Sequence, residues 1–132
     1  MRLSRHTLSF LLLPASILPL ACGTPVHDIQ GGQPASITIS PATALGNSVQ
    51  FTATGHYNTA PFTIAPLKAN WGACQNNAPS TEVTVSSTGL ATCAAGASGS
   101  VTVFADVPTD CTAITACGGG CTIRGTAQLT CP

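Results

Sequence analysis

Charged side chains are scarce in this sequence, at 6% of 132 residues. Beyond the first few residues, the cations are Lys68 and Arg124. A nucleic-acid interface needs a basic surface that neutralises phosphates, and two separated cations do not make one. From Cys22 onward, these two basic side chains stand against four carboxylates, a balance too weak to steer a charged partner. We therefore expect no nucleic-acid partner.

The sequence also lacks the Glu, Lys and Arg that form the solvated face of a helix. Hydrophobic residues reach 44% while aromatic residues reach only 5%, so the apolar content comes mainly from small and branched aliphatic side chains. This composition favours thin, half-buried strands. The length leaves room for one domain of about 100 residues and a short leader.

Catalytic motifs are missing as well. Nucleophilic catalysis needs Ser or Cys, His and a carboxylate brought together. Of the histidines after the leader, His27 falls in a Gly- and Pro-rich stretch and His56 in an irregular connection. Asp106 and Asp110 could suit a glycosidase pair, but their spacing fixes no geometry, and we expect solvated turn carboxylates. The sequence predicts a protein that is not an enzyme and needs no cofactor.

Residues 1–21 have the pattern of an export signal. Arg2 and Arg5 precede an apolar run that is too short to span a bilayer. The run ends at Leu-Pro-Leu-Ala-Cys22, which resembles the lipobox of bacterial lipoproteins, with Pro19 where the pattern prefers Leu. The resemblance implies a lipid anchor on Cys22 and a place at the outer membrane or cell surface. The alternative is an ordinary cysteine beside a secretory cleavage site, in a periplasmic or secreted protein.

The rest of the chain divides into a tether and a domain. Residues 22–34 are rich in Gly and Pro and have no apolar period, so they are predicted to be a flexible tether. Residues 35–132 show the two-residue alternation of strands, with frequent turn signals and no helical period. This pattern predicts an all-β fold, an antiparallel β-sandwich of about seven strands, with a small barrel as the alternative.

Individual strands follow from the same alternation. One is predicted around Ile37 and Ile39, a second as a single run over residues 49–55, and a third over residues 67–72. Residues 56–66 are predicted to be a connection or a weak edge strand. Further short strands are expected at residues 83–86 and 90–94. Near the C-terminus, two longer strands are predicted to turn one set of side chains inward: Val101, Val103, Ala105 and Val107, then Ile123, Gly125, Ala127, Leu129 and Cys131.

Five segments in this order resemble the bacterial Ig-like domain, group 2. They are Ser36-Ile-Thr-Ile-Ser-Pro41, Gly46-Asn-Ser-Val-Gln-Phe-Thr-Ala-Thr-Gly55, Trp71, Val83-Thr-Val-Ser-Ser-Thr-Gly-Leu-Ala-Thr92 with Ala95-Gly96, and Val101-Thr-Val-Phe-Ala105. The resemblance covers residues 35–129 and implies an Ig-like sandwich with Trp71 in the core. It also implies a non-catalytic module of the kind found in surface proteins and adhesins. The six cysteines and the long segment before Cys121 depart from the family pattern.

Cysteine is abundant, with seven residues, and six remain when Cys22 is set apart. An even number suits a disulfide framework in an oxidising compartment, although six cysteines allow fifteen connectivities. We expect a Cys74–Cys93 bridge, because two strand ends in a sandwich can lie about 6 Å apart. The other four are predicted to form two bridges whose pairing stays open: Cys111, Cys117, Cys121 and Cys131. Zinc held by these four thiolates is the alternative, which an oxidising compartment disfavours, so no metal is expected.

Exposed aromatic side chains are the candidate recognition residues, because sugar and protein partners often contact them. Tyr57 and Phe62 are the first candidates and Phe104 is a third; the alternatives are that Phe62 caps the core and that Phe104 lies under a crossing loop. The predicted partner is an unidentified protein or glycan on the cell envelope. The expected role is adhesion, protein–protein interaction or envelope structure, with carbohydrate binding as the alternative.

Overall fold

The structure is a computed structural model that describes residues 32–109, 117–118 and 120–132. These residues form β-strands and no helix. The strands are β1 (Ser36–Ser40), β2 (Thr43–Leu45), β3 (Ser48–Gln50), β4 (Thr52–His56), β5 (Thr63–Ile64), β6 (Asn70–Gln75), β7 (Ala78–Pro79), β8 (Val83–Val85), β9 (Leu90–Cys93), β10 (Gly99–Pro108) and β11 (Thr122–Cys131). A membrane-spanning helix is therefore not found in the described part of the chain.

The strands lie in two layers. One layer is the five-stranded sheet β2-β11-β10-β6-β7, and the other comprises the three-stranded sheets β1-β4-β5 and β3-β9-β8. Only Phe51 separates β3 from β4, so the two small sheets share one interrupted strand. We count that interrupted strand once, as β3/β4. The order of neighbouring strands is then β1, β3/β4, β9, β8 in one layer and β6, β10, β11 in the other. This is the strand order of the Ig fold. The predicted disulfide-stapled Ig-like β-sandwich is confirmed.

The core lies between the layers, where the alternating side chains of both meet. Its buried members are Ile37, Ile39, Phe51, Ala53, Ala73, Val83, Ala91, Val101, Val103, Ala105, Val107, Ala127, Leu129 and Cys131. The inward faces predicted for β10 and β11 are thereby confirmed, except that Ile123 is only partly buried. The layers approach closely at Gly125, where a Cβ atom would lie 2.7 Å from the carbonyl oxygen of Ile37. A side chain at that position would push the layers apart.

Three strand predictions need correction. The single run over residues 49–55 breaks at Phe51, because β3 pairs with β9 whereas β4 pairs with β1 and β5. The third strand begins at Asn70 and continues past Gly72, because β6 pairs with β10 and then turns back into β7. Asn76 and Asn77 form that turn with φ of 52° and 62°, the left-handed values of a tight hairpin. Finally, β2 pairs with β11 in parallel, so the fold is not purely antiparallel.

Disulfides join Cys74 to Cys117 and Cys93 to Cys131. The predicted Cys74–Cys93 pairing is wrong, and Cys117 and Cys131 do not pair within the C-terminal group of four. The reason is strand register. Cys74 lies opposite Thr102 on the outer face of the five-stranded sheet, whereas Cys93 packs against the core. Because directly opposite residues project to the same face, that sheet stands between the two sulfur atoms.

The remaining cysteines complete this correction. Cys121 also takes part in a disulfide, while Cys22 and Cys111 lie outside the described residues. The alternative of zinc bound by the four C-terminal cysteines fails in this oxidised state. A metal ligand must be a thiolate, and the sulfur atoms of Cys117, Cys121 and Cys131 are bonded to other sulfur atoms.

Candidate functional site

A surface groove of about 480 Å³ opens in the side of the sandwich, beside the break at Phe51. We call it the Trp71 groove. Three chain segments and one side chain line it: residues 50–53, residues 66–68, residues 87–88 and Trp71. These segments are far apart in sequence, so only the fold brings them together.

The groove exists because one layer splits along its shared strand. β9 covers the first half of that strand and β5 covers only its last residues, Gly55 and His56. At one end of the gap, the Phe51 amide donates to the Gly89 carbonyl oxygen at 2.9 Å. At the other end, the Leu67 amide donates to the Ala53 carbonyl oxygen at 2.8 Å. The opening lies between these two hydrogen bonds.

Trp71 forms one wall of the groove and packs against the edge of the core. It lies opposite Ala105 on the inner face of β6 and is half-buried, so the predicted core role holds only for part of the indole. The Gly89 turn packs on the ring: a Cβ atom on Gly89 would lie 2.9 Å from Trp71 Cζ2. Gly89 also has φ of +87°. Glycine therefore lets this turn lie against the indole without strain.

Hydrogen bonds hold the turn beside Trp71 in place. The Gln50 side-chain nitrogen donates to the carbonyl oxygens of Phe51 at 2.8 Å and Thr88 at 2.7 Å. Ser86 Oγ accepts from the Thr88 amide at 3.3 Å and the Leu90 amide at 3.0 Å. The turn that carries Ser87 and Thr88 is therefore fixed before any ligand arrives, which lowers the entropic cost of binding.

Lys68 brings a positive charge to the groove. Its side chain is exposed. The other cation of the described residues, Arg124, is bound to Asp106. Lys68 is thus the described cation whose charge is available to a ligand. Gln50, Lys68 and Thr88 were not predicted as site residues, because no local spacing or motif links positions so far apart in sequence.

The predicted recognition aromatics lie elsewhere and behave differently from one another. Tyr57 is 6% exposed, so its prediction as an exposed aromatic is wrong. The Tyr57 ring packs beside Gly55, at the end of β4 that pairs with β5. Phe62 is 65% exposed, as predicted, and lies outside the Trp71 groove. Phe104 is buried beneath Arg124, whose guanidinium carbon lies 4.1 Å from the ring centroid.

Asp106 is not the solvated turn carboxylate that the sequence suggested. It lies within β10, is 4% exposed, and its Oδ2 atom is 2.7 Å from Arg124 Nη2 on β11. Phe104 lies so close to Gly72 that a Cβ atom there would be 2.7 Å from the ring atom Cε1. We call Gly72, Phe104, Asp106 and Arg124 the outer-face cluster. The Arg124 guanidinium forms an ion pair with the Asp106 carboxylate. This pairing gives the cluster a structural role.

Of the other candidate catalytic groups, the structure describes His56. His56 Nε2 lies 2.9 Å from Thr38 Oγ1 at an exposed position, and Asp110 and His27 lie outside the described residues. In the described ranges, no group of three or more His, Cys, Asp or Glu residues is arranged to hold a metal ion. What the Trp71 groove offers is an apolar ring, hydroxyl and amide groups, and one cation, which are the components of a binding site. The sequence matches no family model and no curated protein.

Proposed function

We propose that this protein is a non-catalytic, exported module that is anchored at the bacterial cell envelope through Cys22 and binds a partner there. The expected role is adhesion, protein–protein interaction or envelope structure. The observation that carries the proposal is the Cys93–Cys131 disulfide, which links the two layers of an Ig-ordered sandwich. Such a bridge persists in oxidising compartments outside the cytoplasm, which supports export.

The sequence features of the leader and the domain support the same proposal. The apolar run before Cys22 resembles a lipoprotein signal, and the Ig strand order suits the resemblance of residues 35–129 to the bacterial Ig-like domain, group 2. Modules of that family serve surface proteins and adhesins. Binding through a preformed surface needs no catalytic group. The Trp71 groove and the exposed loops are the surfaces that a partner can contact.

Replacing the anchor residue tests the proposal. The Cys22→Ala variant is expected to move from the membrane fraction into the soluble periplasm or the medium, because the acyl chains that hold the protein in the bilayer are lost. Fractionation followed by immunoblotting of the native host measures this, and incorporation of labelled palmitate reports the acylation. Gly23→Ala, which keeps the acceptor cysteine, is the matched control and should stay with membranes. Sedimentation of Cys22→Ala with membranes would contradict lipid anchoring.

Carbohydrate binding is the second candidate function, and the Trp71 groove is the observation that favours it. Sugars present apolar faces and hydroxyl groups, so protein sites for them combine an aromatic ring with fixed hydrogen-bonding groups. Trp71 supplies the ring, and the turn at Ser87 and Thr88 supplies hydroxyl groups on a fixed backbone. Lys68 adds a preference for sugars that carry a carboxylate or phosphate group.

Titration with purified envelope glycans tests the second candidate directly. Trp71 is the only tryptophan, so its emission reports any ligand that enters the groove. The Lys68→Ala variant is expected to weaken binding of an anionic glycan about tenfold, a loss of roughly 1.4 kcal/mol. Thr126→Ala, on the exposed face of β11, is the control and should bind as the unchanged protein does. Equal affinities for all three proteins, or no emission change with any envelope glycan, would contradict this candidate.

A further inference from the structure

We propose that the end of the sandwich that carries Phe62 faces the lipid bilayer, and that the Phe62 ring enters the headgroup region. This inference rests on the lipid anchor of the proposed function and adds a second membrane contact and a fixed orientation. Its partner is the lipid surface itself.

The chain enters the sandwich at the end where Phe62 lies. The Ala35 amide donates to the His56 carbonyl oxygen at 2.7 Å, and Ser36 lies opposite His56 in the β1–β4 pair. His56 in turn lies opposite Thr63, the neighbour of Phe62. Phe62 immediately precedes β5, which is two strands from β1, and since adjacent strands are about 4.8 Å apart, the start of β5 lies about 10 Å from the entry point. We call this end the entry end.

The length of chain before the domain keeps the entry end near the membrane. Nine residues lie between Cys22 and Gly32, the first residue of the described domain, and the ten residue steps from Cys22 to Gly32 span at most about 35 Å. The opposite end lies farther along the ten-residue strands β10 and β11, about 30 Å away. Because the chain before the domain joins it at the entry end, an anchor at Cys22 acts on that end and leaves the opposite end about 30 Å farther along the strands.

The loop at the entry end has the chemistry of a membrane contact. Phe62 is 65% exposed, so burial in lipid would remove a large apolar area from water. Residues 57–62 read Tyr-Asn-Thr-Ala-Pro-Phe and contain no charged side chain. Entry into the headgroup region therefore requires no desolvation of a charge from this loop.

The described carboxylates are distributed in a way that favours the same orientation. Asp106 is neutralised by Arg124, which leaves Glu82 as the described carboxylate without a cation. Glu82 precedes Val83, which lies opposite Cys93 at the end of the sandwich far from His56. Anionic headgroups repel carboxylates, so placing Glu82 away from the bilayer favours the proposed orientation.

Two single-tryptophan variants of the full lipidated chain test the orientation. Both carry Trp71→Phe; one adds Phe62→Trp, and the other adds Leu45→Trp. Leu45 is the matched control because it is also highly exposed, at 72%, and lies opposite Thr130 at the far end. Vesicles of phosphatidylethanolamine and phosphatidylglycerol with brominated acyl chains quench tryptophan that enters the bilayer. We expect at least about twofold quenching for the Phe62→Trp variant and almost none for the Leu45→Trp variant.

A second measurement avoids the substitution at Trp71. In the unchanged lipidated protein on vesicles, hydrogen exchange of residues 57–62 is expected to slow relative to soluble Cys22→Ala protein, while residues 43–48 exchange at the same rate. Equal quenching of both tryptophan variants, or slowing that is absent from residues 57–62, overturns the orientation while the anchor stands. Quenching or slowing that requires an added envelope protein also overturns it, because the partner is then not lipid. A lipidated protein that fails to sediment with vesicles overturns the anchor itself.

Discussion

Replacement of Cys93 and Cys131 by alanine is expected to lower the free energy of unfolding by about 4 kcal/mol, and the melting temperature by roughly 15 °C or more. The bridge joins residues 38 positions apart, so its loss returns a large loop-closure entropy to the unfolded chain. Cys131 is 3% exposed, and removal of its sulfur also leaves a gap in the core. Small domains are stabilised by only about 5–15 kcal/mol, so this is a large fraction of the total.

Urea denaturation with intrinsic fluorescence measures the loss, and the second described disulfide provides the control. Cys74 and Cys117 are 43 positions apart, so the chain-entropy contribution of their bridge is nearly the same. Both residues are half-buried outside the core, so the Cys74→Ala, Cys117→Ala double variant is expected to lose less stability. A smaller loss for the Cys93 and Cys131 pair would contradict the argument. So would a tryptic peptide in which Cys74 is bonded to Cys93.

The Asp106→Ala variant is expected to be destabilised by about 3 kcal/mol, because it leaves the half-buried guanidinium of Arg124 without its carboxylate. Arg124 on β11 is bound to Asp106 on the neighbouring strand and lies over the Phe104 ring, so it cannot turn freely into water. A surface ion pair would contribute only about 0–1 kcal/mol. The large expected effect follows from the burial of both partners, and it should persist at high salt because buried pairs are weakly screened.

A variant that removes both charges separates the ion pair from the packing of the cluster. Asp106→Leu combined with Arg124→Met fills the same space with apolar atoms and is expected to recover most of the stability. Glu82→Gln, which removes the charge of a half-buried carboxylate outside any described ion pair and keeps an oxygen that can accept from Gln75, serves as the control and should change the free energy of unfolding by less than about 0.5 kcal/mol. Urea midpoints of the three variants measure these differences. An Asp106→Ala protein as stable as the Glu82→Gln protein would show that the outer-face cluster has no structural role.

The proposed membrane contact and the Trp71 groove occupy different parts of the molecule. Phe62 lies at the entry end, whereas the groove opens along the side of the sandwich between the Phe51 and Leu67 hydrogen bonds. A domain whose entry end faces the bilayer therefore leaves the groove open to solvent and to ligands of the envelope. The two proposals can be tested separately, because Lys68→Ala changes the groove and leaves the Phe62 loop intact.

Much of the fold was predictable because alternation is a local property of a strand. The buried set Val101, Val103 and Ala105 and the strand at Ile37 and Ile39 follow directly from the two-residue period. The break at Phe51 was not predictable, because it depends on which strands pair with β3 and β4. Pairing partners are distant in sequence, so a local pattern carries no information about them.

The face on which each cysteine lies, unlike its pairing partner, follows from local alternation. Alternation places Cys131 with Leu129 on the inner face, and it places Cys93 with Ala91 on an inner face as well. The same alternation places Cys74 on the face opposite Ala73, away from the core. Face assignment alone would therefore have excluded a Cys74–Cys93 bridge, because a disulfide needs both Cβ atoms on one side of a sheet.

The sequence by itself determined the all-β class, the faces of the long strands, the scarcity of cationic side chains and the six cysteines after Cys22 that suit a disulfide framework. Only the tertiary structure decided that Asp106 and Phe104, on the predicted outer face, are covered by Arg124, and that Trp71, Lys68 and Thr88 share a groove. The physical reason is that alternation assigns a side chain to a face, whereas burial and binding depend on what other segments place over that face. Those contacts join residues tens of positions apart and form only when the strands pair.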